Sequence, residues 1–141
     1  MESNETVSRG KSDRDKSEKI TINIGLVDLG EIDLLVDEGF FANRTDFIRT
    51  AIRRQLESRS SAVDRTVARR ELTLGTQYYG RRELEEIRVS GGTVQLRVLG
   101  LLTIADDVSP ELALATIDAV EVLGAFRAPE AVKAALASRT T

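Results

Sequence analysis

Eight arginines fall between residues 44 and 70: Arg44, Arg49, Arg53, Arg54, Arg59, Arg65, Arg69 and Arg70. Only Asp46, Glu57 and Asp64 oppose them there. Directly before them, residues 26–38 carry Asp28, Glu31, Asp33, Asp37 and Glu38 and no base. A basic cluster of this kind suits attraction of an anionic partner, and its plain alternative is a pair of solvated helix faces. Covalent and metal chemistry are poorly supplied, because the 141 residues include no Cys and no His. Thiolate nucleophiles, disulfides and thiolate metal sites are absent, as are the commonest general base and the commonest metal ligand. Zinc, haem and Ser-His-Asp chemistry lose their usual residues. An enzyme would have to work with carboxylates, Lys and backbone amides, and no motif gathers these. Ser90-Gly91-Gly92-Thr93 lacks the Gly-Lys-Thr/Ser ending of a phosphate loop and reads as a helix stop. Asp106-Asp107 lacks the further oxygen ligands of a cation site and reads as a loop. No catalytic residue, no metal site and no cofactor is expected.

Three polar residues, Lys19, Thr21 and Asn23, alternate with Ile20, Ile22 and Ile24. A period of two is the mark of a half-buried strand, with the isoleucines on one face and the polar residues on the other. No second strand is readable in the next 40 residues. The backbone groups of residues 19–24 therefore find partners most cheaply in the same strand of a second molecule, across a two-fold axis.

Two helices follow. Asp28 is a candidate N-cap with Glu31 three residues on, and Gly39 suits the left-handed position that ends a helix. Leu29, Ile32, Leu35 and Val36 share a face, and Phe40 and Phe41 are expected in the buried turn. Asn43 caps a second helix with Asp46 at its third position. That helix carries Phe47, Ile48, Ala51, Ile52 and Leu56 on its apolar face and reaches about Arg59.

This order of strand, helix, turn and helix resembles the ribbon-helix-helix family of DNA-binding proteins, of the CopG, Arc and MetJ type. The residues that carry the resemblance are Ile20–Ile24 and the run from Asp37 to Glu57, in which Asn43-Arg44-Thr45-Asp46-Phe47-Ile48-Arg49 matches the family's start of the second helix. It covers residues 19–58. Gly25-Leu26 departs from the Leu-Pro common before the first helix, which bears on that helix's entry angle. The resemblance implies double-stranded DNA as partner and a homodimer through residues 19–58, with Ile20, Ile22, Ile24, Phe47 and Ile48 in its core. It also implies base contacts by Lys19, Thr21 and Asn23. Lys donates to guanine O6 and N7, Asn bonds adenine bidentately, and the Thr methyl meets a thymine methyl. Asn43, Arg44 and Thr45, at the amino end of the second helix, would hold a phosphate. Arg49, Arg53, Arg54 and Arg59 either widen that surface or pair with the acidic first helix.

The remaining residues show a repeat. Leu74-Gly75, Leu99-Gly100 and Leu123-Gly124 recur at spacings of 25 and 24 residues. Strand-like residues precede each, and short helical candidates follow at 82–87, 110–115 and 129–136. Pro110 and Pro129 suit the first helical position, and Ser109 caps the middle helix. The expected fold class is α+β: an N-terminal ribbon-helix-helix followed by a small strand-Gly-helix repeat domain. A short parallel β/α solenoid and a compact domain without stacking are the two architectures open to it. The expected division is a disordered polar arm over 1–18, the ribbon-helix-helix over 19–59, a linker or helix over 60–70, and a repeat-like oligomerisation or partner-binding domain over 71–139.

Apolar residues are 41% and charged residues 30%, so most of the chain is expected to fold, as one domain or a small domain plus an extension. The net charge of −3 does not by itself advertise nucleic acid. Residues 1–18 hold no apolar core of a signal peptide, and the longest apolar stretch, around Val98–Ile104, is interrupted by Gly100 and Thr103 and far short of a membrane span. The resemblance implies a bacterial, cytoplasmic, nucleoid-associated regulator of transcription, a repressor by family habit and not an enzyme. An antitoxin or plasmid-maintenance protein, whose C-terminal half binds a protein partner, and a DNA-coating scaffold are the alternatives.

Overall fold

A computed structural model describes residues 16–141. Most of the expected N-terminal arm, residues 1–15, lies outside the described residues. The fold is α+β, with six α-helices and one three-stranded parallel sheet among the described residues. Residues 17–66 make one compact unit, and residues 67–141 make the body of a second.

In the first unit, α1 spans Leu26–Asp37 and α2 spans Arg44–Ser58. The expected start of α1 at Asp28 needs correction. Leu29 N–H already donates to Gly25 O (2.9 Å), so Gly25 is the N-cap and Asp28 lies inside the first turn. The exit of α1 is made by hydrogen bonds. Gly39 has φ +85, its N–H donates to Val36 O (3.1 Å), and Phe40 N–H donates to Leu35 O (2.9 Å). This closed turn satisfies two of the carbonyls a helix leaves open, and a left-handed φ costs Gly almost nothing. Phe40 is exposed there, against expectation, while half-buried Phe41 meets Phe47 edge-to-face with ring centroids 5.0 Å apart. The strand expected at 19–24 does not form within the single chain, since the unit supplies no second strand for it to pair with.

Helix α3 (Ser60–Arg70) leads into the second unit, where β1 (Thr73–Tyr79), α4 (Arg81–Val89), β2 (Val94–Ile104), α5 (Pro110–Thr116), β3 (Ile117–Arg127) and α6 (Glu130–Leu136) follow. The strands lie in the order β1-β2-β3, all parallel. Leu84 of α4, Leu112 and Ala113 of α5, and Val132 and Leu136 of α6 pack on Leu96, Val98, Leu102 and Ile104 of β2 and Val120 of β3. This is the core of the unit, and truncating one of its leucines to Ala costs about 2–5 kcal/mol. Buried Thr116 donates its hydroxyl to Leu112 O (2.7 Å), so its one polar side-chain atom is not stranded there.

The Leu-Gly pairs occupy one register. Leu74 pairs with Leu99 and Leu99 with Leu123, while Gly75 pairs with Gly100 and Gly100 with Gly124. The pairs sit inside the strands, which run on beyond the strand-like residues that precede each pair. The glycines allow this because a close approach replaces a turn. Each has a positive φ (119°, 140° and 120°), and a Cβ at Gly100 or Gly124 would run into the carbonyl oxygen of the glycine before it. Ser109 Oγ accepts from Leu112 N–H (3.2 Å) and Pro110 opens α5, whereas Pro129 is the N-cap of α6 and not its first residue. Ser90-Gly91-Gly92 closes α4, with Gly91 N–H donating to Arg88 O and Gly92 N–H to Ile87 O. The side chain of Arg70 forms an ion pair with Glu121, and Arg97 lies 3.7 Å from Glu71.

Candidate nucleic-acid interface

The amino end of α2 is the best-built polar site of the first unit. Asn43 Oδ1 accepts from Asp46 N–H (2.8 Å), and Asp46 Oδ2 reaches back to accept from Ala42 N–H (2.9 Å). Each side chain thus satisfies an amide that the helix cannot. The first intrahelical bond runs from Phe47 N–H to Asn43 O (3.2 Å). The amides of Arg44 and Thr45 are left without an intrahelical acceptor, as at any helix start, and the helix dipole makes that end attractive to an anion.

Arg44 itself is not idle. Its Nε donates to Asp33 Oδ1 (2.7 Å) and its Nη2 to Asp33 Oδ2 (2.8 Å), a two-pronged pair from α2 back to α1. The guanidinium bonds hold the Asp33 carboxyl below the usual carboxylate range, and the same bonds raise Arg44. Both side chains are open to solvent, so the pair aligns the two helices more than it stabilises them. The expected alternative, pairing of Arg49, Arg53, Arg54 or Arg59 with the acidic helix, is not what forms among the described residues. Asp33 and Arg44 meet because the turn of residues 38–43 folds α2 back along α1, a consequence of the chain reversal that no local pattern announces.

Lys19, Thr21 and Asn23 are exposed and precede α1 in a stretch without regular structure. Ile20 and Ile22 are 76% and 65% exposed, and Ile24 is half-buried. Phe47 and Ile48 are half-buried. A hollow of about 280 Å³ opens between α1 and α2, lined by Ile32, Leu35 and Phe47 with Asp28 and Glu31 at its rim. Only Ile32 counts among the buried apolar residues of the unit. Leu26, Val27, Leu34, Phe40, Ile52 and Leu56 are exposed as well. Beyond these, α2 and α3 carry the rest of the basic run, with Arg49, Arg53, Arg54, Arg65 and Arg69 exposed.

Among the described residues no group of His, Cys, Asp and Glu has the arrangement to hold a metal ion. No helix among them is long and apolar enough to cross a membrane. A model of the Ribbon-Helix-Helix transcriptional regulator family matches residues 15–133. The match is wider than the stretch from 19 to 58 and takes in the parallel sheet. No curated protein and no solved structure matches the chain.

Proposed function

The chain belongs to the Ribbon-Helix-Helix transcriptional regulator family, and from that premise we propose that it is a dimeric, sequence-specific DNA-binding repressor. Residues 19–24 of two copies pair as an antiparallel ribbon that enters the major groove. Lys19, Thr21 and Asn23 meet base edges, each good bidentate contact contributing about 1–3 kcal/mol of discrimination. The amides of Arg44 and Thr45, with the side chain of Asn43 beside them, hold a phosphate that sets the ribbon's register. The protein acts where the DNA is, in the cytoplasm, and needs no cofactor.

The observation that carries this reading is the poverty of the first unit's core. A unit of this size with one buried apolar residue, exposed Ile20 and Ile22, and an apolar hollow at Phe47 does not bury enough surface to fold alone. A second copy supplies the missing surface and, in the same step, the missing strand partner.

The test is fluorescence anisotropy with labelled duplexes, the gene's own upstream DNA and a scrambled one of equal length, across a salt series. The repressor reading expects preference for the upstream duplex. It also expects that preference to vanish in a Lys19→Ala/Thr21→Ala/Asn23→Ala variant that stays dimeric. Equal, cooperative binding to both duplexes by both proteins would favour the DNA-coating scaffold.

A further inference from the structure

The two outer strands of the sheet are treated differently. The outer side of β3 is covered near its start: Val120 bridges to Thr140 in parallel, and Thr141 N–H donates to Val120 O (2.9 Å). The outer side of β1 has no partner strand among the described residues. Natural edge strands are guarded by charges, Pro, bulges or brevity. Strand β1, Thr73-Leu74-Gly75-Thr76-Gln77-Tyr78-Tyr79, contains no charge and no Pro and runs seven residues without a register shift against β2. Leu74 and Tyr78 are 72% and 58% exposed on it.

We propose that this edge pairs with the β1 edge of a second copy of the chain, antiparallel and centred on Thr76. The proposal deepens the dimeric reading by naming a surface in the second unit, and it rests on that reading only for bringing two edges near each other.

The backbone fixes which residues face out. Tyr79 O accepts from Ala105 N–H (2.9 Å), so Tyr79 turns its carbonyl toward β2. By alternation Gly75 and Gln77 do the same, and Leu74, Thr76 and Tyr78 turn their N–H and C=O groups outward. Pairing centred on Thr76 sets Thr76 against Thr76 of the second copy and Leu74 against Tyr78 of the second copy. Every outward donor and acceptor then meets its complement. The two exposed apolar side chains become direct cross-strand neighbours and shield each other from water.

The flanks agree. Glu71 precedes the strand and Arg81 and Arg82 follow it, all exposed, while Arg70 is engaged by Glu121. An antiparallel arrangement brings the end of the strand that follows Glu71 toward the Arg81–Arg82 end of the second copy, and a parallel one would set like ends together. Head-to-tail stacking of β1 on β3 is opposed by Thr140 and Thr141 on the outer side of β3.

The chain has no Cys, so a single introduced thiol reports one contact. Thr76→Cys is incubated with oxidised glutathione and compared with Leu123→Cys, an exposed site on β3. Directly paired residues have Cα atoms within disulfide reach. The proposal expects a covalent dimer from Thr76→Cys and none from Leu123→Cys. Particle mass is measured on the same samples without oxidant. A dimer that does not cross-link through Thr76→Cys overturns edge pairing and leaves the ribbon standing, and a monomer that does not cross-link overturns both. Cross-linking of Thr76→Cys together with Ala125→Cys, but of neither alone, marks head-to-tail stacking and overturns the antiparallel edge. Hydrogen exchange of the unmodified chain decides the matter if a variant misfolds. Paired edges slow the amides of Leu74, Thr76 and Tyr78 by about two orders of magnitude or more, and exchange at the free-peptide rate overturns the proposal.

Discussion

Asp33 on α1 grips Arg44, the first residue of α2, through two parallel hydrogen bonds of 2.7 and 2.8 Å. The grip makes the helix pair sensitive to acid. Asp33 is held below its ordinary range by the Arg44 guanidinium, so its folded value lies under its unfolded one. The contribution of the pair is complete above about pH 4 and fades as the pH falls through that depressed value. The Arg44 Nε–H resonance should therefore stay constant from pH 7 to about pH 4 and move only in stronger acid. In Asp33→Asn it should lose that transition.

If Arg44 contacts a phosphate as proposed, the same pair should restrain DNA binding. Arg44 stands where a phosphate is expected, and Asp33 competes for its guanidinium. Asp33→Asn should tighten binding to every duplex alike, because a phosphate contact carries no sequence information. Arg44→Ala should weaken binding uniformly and flatten the plot of log K against log salt by about 0.9 for each phosphate that the arginine had neutralised. A change confined to one preferred sequence would assign Arg44 to a base.

Local rules make several features readable in the chain, and long-range geometry hides others. The capping of α2 by Asn43 and Asp46 needs residues three apart, and the stop at Gly39 needs one left-handed residue, so both are visible in the sequence. Asp33 and Arg44 lie eleven residues apart, and only the reversal between the helices brings them together. Alternation at Ile20, Ile22 and Ile24 is plain, yet the single chain leaves this stretch without regular structure and Ile20 and Ile22 exposed, because a strand needs a partner strand for its backbone groups. The Leu-Gly spacing reveals three equivalent segments. Their glycines fit either a tight turn or a close approach, and the register that decides for close approach, Gly stacked on Gly, exists only across strands.

That register sorts the glycines by cost. Gly75→Ala meets open space, so it carries the backbone strain alone, about 1–3 kcal/mol. Gly100→Ala and Gly124→Ala carry that strain and also drive a methyl into a neighbouring carbonyl, adding about 1–3 kcal/mol. Denaturant midpoints should fall in that order, with Gly75→Ala closest to the unsubstituted protein.

The two units should unfold separately. Residues 67–141 hold nearly all the buried apolar residues, and residues 17–66 hold Ile32 alone. Dilution should shift a first transition belonging to residues 17–66 to lower temperature, because stability gained from a second copy follows mass action. A second transition, belonging to the sheet, should move less. Ile22→Asp should abolish the first and spare the second, as read by amide signals from each unit.

Selection from a random duplex library decides whether residues 19–24 read bases. The unsubstituted chain should enrich a two-fold symmetric sequence, since operator symmetry mirrors protein symmetry. The Lys19→Ala/Thr21→Ala/Asn23→Ala variant should enrich none while still retaining DNA at low salt. Enrichment of the same sequence by both proteins, or of no sequence by either, would contradict a ribbon that reads bases.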